Sequence, residues 1–117
     1  MTIFHSLTIG WGKFFRGDVV KQDERYIVQD FTGLNNLVVS QTILHPGMQT
    51  SGHKHEGQEE VYFFISGKGT IQLDETFIAV MEGDIIPIAD GVFHKVSNSW
   101  SEDLVFRCVF DGRRYEG

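Results

Sequence analysis

The chain has 117 residues and one cysteine, Cys108. An intrachain disulfide is therefore impossible, which suits a reducing compartment. Proline is almost missing, with only Pro46 and Pro87. No stretch approaches the run of about 18 apolar residues that a membrane-spanning helix needs. Near the start, Lys13 and Arg16 interrupt any apolar run, and Gly10 and Gly12 fall where a secretory core would have to continue. No export signal is expected, and the cytoplasm is the expected location. Basic clusters are also lacking. Lys and Arg total 10 against 16 Asp and Glu, the net charge is −6, and Arg113-Arg114 is the one adjacent basic pair. No nucleic-acid partner and no membrane partner are expected. Sustained helical periodicity is absent too.

What the chain does have is glycine (13 residues) and phenylalanine (10 residues). Turn signals recur at spacings of about 8–12 residues, the rhythm of a small sandwich or barrel. A single domain over residues 1–117 is expected, with a core that needs no staples. Strands are expected at Thr2 to Ile9, Lys13 to Val20, Tyr26 to Phe31, Asn36 to Leu44, Glu59 to Ser66, Thr70 to Leu73, Thr76 to Val80, Ile85 to Ile88, Phe93 to Ser97 and Leu104 to Phe110. Lys21 to Arg25 reads as a loop, Gly67-Lys68-Gly69 as a hairpin turn and Asp74-Glu75 as a second one. Trp11 and the Phe14-Phe15 pair read as core. Pro87 limits ladder pairing in its strand.

The most informative stretch begins at Gly47 and reaches Gly67. His53 and His55 stand one residue apart, so in an extended strand both imidazoles point to one face. Glu60 opens the next strand and can reach the same point. Two imidazoles and a carboxylate on a β scaffold form part of a first shell for a divalent ion. A further ligand must come from elsewhere, and His94 lies in the segment Gly83 to Asn98. Glu59 competes with Glu60 for the carboxylate role, while His45 and His5 read as structural or solvated.

These two segments resemble the cupin superfamily. Its first motif is Gly, five residues, His-x-His, three or four residues, Glu, six residues, Gly. Gly47, His53, His55, Glu60 and Gly67 satisfy it with the longer spacer. Its second motif is Gly, five residues, Pro-x-Gly, two residues, His, three residues, Asn. Gly83, Gly91, His94 and Asn98 fit, whereas Ala89 stands where the family has proline. The first motif spans residues 47–67 and the second 83–98. The resemblance implies an all-β fold, a cupin-type double-stranded β-helix or jelly-roll barrel. It also implies a divalent metal ion (Zn, Mn, Fe or Ni) held in the barrel mouth by His53, His55, Glu60 and His94.

Alternation extends the reading. With Glu60 pointing inward, Tyr62 and Phe64 do the same, and Phe93 can add to an apolar chamber. Tyr62 is the candidate general base. Val61, Phe63 and Ile65 then face outward, which points to burial in a homodimer or against the chain's own N-terminal strands. Arg107 either projects into the pocket or is solvated, and it and Lys95 are the cations within reach of an anionic substrate. The function expected is a metal-dependent enzyme acting on a small molecule by oxygenase, isomerase or epimerase, or lyase chemistry. The competing readings are a non-catalytic cupin that binds a small, sugar-like ligand and a metal-stabilised structural domain.

Overall fold

A computed structural model describes residues 15–112. Nine strands follow one another: β1 (Asp18–Gln22), β2 (Tyr26–Phe31), β3 (Leu37–Leu44), β4 (Glu60–Ser66), β5 (Lys68–Leu73), β6 (Thr76–Met81), β7 (Ile85–Ile88), β8 (His94–Ser97) and β9 (Leu104–Asp111). They form a six-stranded sheet in the order β1-β2-β3-β9-β4-β7 and a three-stranded sheet in the order β6-β5-β8. All ladders are antiparallel. No α-helix occurs among the described residues. The arrangement is the expected all-β double-stranded β-helix.

The core lies between the two sheets because each strand alternates its faces. In β4, Glu60, Tyr62 and Phe64 are buried and Val61, Phe63 and Ile65 only half so. Ile71 and Val96 of the small sheet and Leu44 and Leu104 of the large one complete it, each 2% exposed or less. Pro87 sits in β7, at the edge of the large sheet, where a missing backbone donor costs no ladder bond.

Two irregularities shape the barrel. The first is in β1. Val19 pairs with Gln29, yet Lys21 pairs with Val28, so one extra residue is inserted between them. Such a bulge turns the following side chain to the other face. It moves Lys21 onto the inner face. The second is at the end of β4, where Phe64 pairs with Phe106 but Ser66 pairs with Val105. Gly67 follows with φ of 90°, and a Cβ there would lie 2.5 Å from the Asp103 carbonyl oxygen. Only glycine fits this corner.

That corner corrects one expectation. Gly67-Lys68-Gly69 is not a hairpin turn: β4 belongs to the large sheet and β5 to the small one, so the chain crosses between layers. A glycine-rich break looks the same in sequence whether the chain folds back or changes sheets. The hairpin at Asp74-Glu75 is present, joining β5 and β6. The strand expected at Lys13 to Val20 is displaced to Asp18–Gln22, which shortens the expected loop at Lys21 to Arg25. Thr2 to Ile9, Trp11 and Phe14 lie outside the described residues.

Candidate metal centre

The segment from residues 45 to 59 contains no ladder strand, only isolated bridges pairing Gln49 with Ser97 and His53 with His94. His53 and His55 therefore converge from an extended segment and not from the regular strand that their spacing suggests. Discrete bonds hold that segment against β8 and the turn before it. His53 N donates to His94 O at 3.0 Å, and His94 N returns the bond at 2.9 Å. Gly91 N donates to His55 O at 2.9 Å, and Gly57 N donates to the Asp90 carboxylate at 2.7 Å. The turn that departs from the motif proline at Ala89 still supplies these ties. Gly52 has φ of 78°, and a Cβ there would meet the Phe93 ring at 2.7 Å. Phe93 thus packs against this glycine instead of lining the chamber.

The imidazole nitrogens of His53, His55 and His94 come within 4.8 Å of one another. Their ring centroids are 4.8 to 5.7 Å apart. His53 is exposed, His55 half-buried and His94 buried. Glu60 Oε2 lies 2.9 Å from His94 Nε2, with both side chains at most 5% exposed. His94 Nδ1 sits 3.1 Å from the Val92 carbonyl, which can only accept, so this nitrogen carries a hydrogen. In the neutral ring, Nε2 then presents a lone pair toward a carboxylate oxygen. Two buried acceptors this close need a cation between or beside them, a proton or a metal. The donor set of three imidazoles and one carboxylate suits a divalent transition metal, so the residues fit the ion that the sequence implies. Glu59 is exposed, which separates it from the buried Glu60.

A cavity of about 580 Å³ extends from this cluster along the inner face of the large sheet. Tyr62 forms part of its wall, 6% exposed, stacked on Phe106 at 5.4 Å and edge-on to His94 at 5.8 Å. Phe64 does not line it. Two residues deeper and 1% exposed, it packs behind Phe106 in the apolar floor. Arg107 is on the opposite face of β9 from the wall residues Phe106, Cys108 and Phe110. There its guanidinium donates to Gln41 at 2.8 Å and stacks on Phe15 at 5.4 Å. Partial burial lowers its pKa from the ordinary value. Lys95 does not line the cavity either; among the described residues its cation is Lys21, which the bulge turns inward.

The remaining candidates are structural. His45 Nδ1 lies 3.0 Å from Asp103 and ties the start of the loop to the segment before β9. Asn98 is 1% exposed and donates to the Leu44 and Glu102 carbonyls while accepting from Trp100 N. Sequence reasoning missed Lys21, Asp30, Ser40 and Thr42 in the cavity wall. The phase of β2 and β3 was the available signal, since Tyr26 and Val28 share a face with Asp30.

Comparison with known proteins agrees with this architecture. The Cupin domain model matches residues 40–110, and the chain belongs to the cupin family. It is 32% identical over 66 residues to the oxalate-binding protein of Thermotoga maritima, covering 56% of this chain and 54% of the relative. The chain thus spans about half the length of the curated relatives it matches. The crystal structure of a predicted oxalate decarboxylase from Thermotoga maritima superposes with a TM-score of 0.68 at 23% identity, over 74% of this chain and 79% of that one. An RmlC-like cupin from Shewanella frigidimarina superposes with a TM-score of 0.73 at 14% identity, over 86% and 88%.

Proposed function

We propose that this cupin holds a divalent transition-metal ion through His53, His55, Glu60 and His94, and that it acts on a small carboxylate-bearing molecule bound beside that ion. The supporting observation is the buried approach of His94 Nε2 and Glu60 Oε2 at 2.9 Å, next to two more imidazoles and an open cavity. A divalent ion would supply Lewis acidity there. The chain's own residues do the rest. Glu60 and His94, buried on rigid strands, fix their donor atoms. Tyr62 sets a phenol at the wall against His94, within reach of a bound ligand, as the candidate acid or base. Phe106, backed by Phe64, makes the floor apolar. Helices long and apolar enough to cross a membrane are absent among the described residues.

A second reading, non-catalytic binding, draws on the name of the Thermotoga maritima relative, an oxalate-binding protein. Calorimetry of oxalate with the Mn- and Zn-loaded chain, followed by product analysis after incubation, separates the two. Consumption of a carboxylate that stops in Tyr62→Phe supports catalysis; tight binding with no product supports the second reading. The proposed assembly is a homodimer, supported by Val61, Phe63 and Ile65, which β4 leaves only half-buried on its outer face. Sedimentation equilibrium should give twice the chain mass. A monomer at all concentrations would contradict it.

A further inference from the structure

The cavity has a second polar end. Reading straight across the large sheet, Asp30 pairs with Ser40, Ser40 with Cys108 and Cys108 with Tyr62. Directly paired residues share a face, and all four line the cavity. Asp30 therefore stands at the opposite end of one row from the wall of the metal cluster. Oδ1 of Asp30 is buried without a hydrogen-bond partner among the described residues. A buried carboxylate oxygen left this way is costly and calls for a donor. The terminal torsion of an Asp side chain is broad, so either oxygen can turn toward the cavity. Ser40 and Thr42 add hydroxyls beside it, and Lys21 is the one cation among the described cavity-lining residues.

From this arrangement we infer that Asp30 selects the ligand's far end by accepting hydrogen bonds from its hydroxyl groups. The ligand is then a polyhydroxylated carboxylic acid, with the acid group at the metal end. This rests on the reading of the near end as a metal site. A second carboxylate at the far end would face the Asp30 charge and is disfavoured.

The test compares glucuronate and galacturonate with cyclohexanecarboxylate, which keeps the acid and the ring size but has no hydroxyls. Each is titrated calorimetrically into the Mn-loaded full chain. A hydroxyl bonded to a carboxylate should make at least one sugar acid bind about tenfold tighter or more. Asp30→Ala should bring that ratio close to one, and Asp30→Asn should leave it intermediate. Cyclohexanecarboxylate, which offers Asp30 no hydroxyl, is the reference for that ratio in each variant. If Asp30→Ala fails to fold, the isosteric Asp30→Asn carries the comparison. A wild-type ratio near one, no binding of either sugar acid, or a ratio preserved in both variants would overturn the inference. Metal content, measured on the same samples, separates the two readings. A metal-free wild type that still discriminates through Asp30 sinks the metal reading alone. A metal-loaded chain without discrimination sinks the Asp30 inference alone.

Discussion

The two ends of the cavity are built in different ways. At the near end, His53 and His55 come from a segment with no ladder of its own, fixed by a handful of backbone bonds to β8 and the residues flanking it. At the far end, Asp30 and Ser40 sit inside continuous ladders of β2 and β3, where every neighbour fixes the register. Near-end geometry therefore depends on a few ties between the two motif segments, and far-end geometry on the sheet as a whole. A change near the histidines should act on ion binding with little cost to the fold, while a change in the shared floor should act on the fold itself.

The comparison can be pressed hardest at the floor. Phe64→Ala should destabilise the chain by about 3–5 kcal/mol in urea unfolding, the range for a fully buried Phe. A loss comparable to a surface change would mean that the sheets do not share one core. Next comes Asn98, whose amide bridges Leu44, Trp100 and Glu102. Asn98→Ala should cost about 2–3 kcal/mol, because buried backbone groups lose their partners. The near-end ties are tested by Asp90→Ala, which removes the acceptor for Gly57 N. Metal affinity should fall about tenfold, as for other supporting contacts around metal ligands, with the melting temperature nearly unchanged. A large loss of stability with intact metal affinity would reverse the contrast between the two ends.

The smallest effect concerns acid. Arg25 bonds Asp23 and reaches Ser51 at 2.8 Å, pinning the loop that carries His53. The Arg25 guanidinium holds the Asp23 carboxyl down at about 2, against 3.8 ordinarily. Because the folded pKa is depressed, the stabilisation is complete above about pH 4 and is lost as the pH falls toward 2. The pair is open to solvent, so salt should weaken the effect. Asp23→Asn should remove this part of the acid limb in a melting-temperature profile; an identical profile would show that the pair does not hold the loop.

The near end was readable in the sequence because metal ligation demands particular residue types at fixed spacing. The choice of Glu60 over Glu59 followed from the motif spacing to Gly67 and from the face Glu60 shares with Tyr62 and Phe64; in the structure Glu60 is buried and Glu59 exposed. The far end was hidden for a physical reason. Asp30 and Ser40 share a cavity wall with Tyr62 only through ladder register between segments far apart in sequence. Lys21 was hidden further, since a single-residue bulge in β1 reverses its face and no local signal announces it. Arg107 illustrates the converse. Alternation alone leaves its side chain open between pocket and solvent, because which face of β9 looks inward depends on its pairing with β4.

The most direct test is the metal content of the chain, purified without chelators, measured by plasma mass spectrometry beside a His53→Ala, His94→Ala double variant. The wild type should carry about one divalent transition-metal ion per chain, and the double variant almost none. Less than roughly 0.2 ion per wild-type chain after reconstitution, or an unchanged content in the folded double variant, would contradict the site described above.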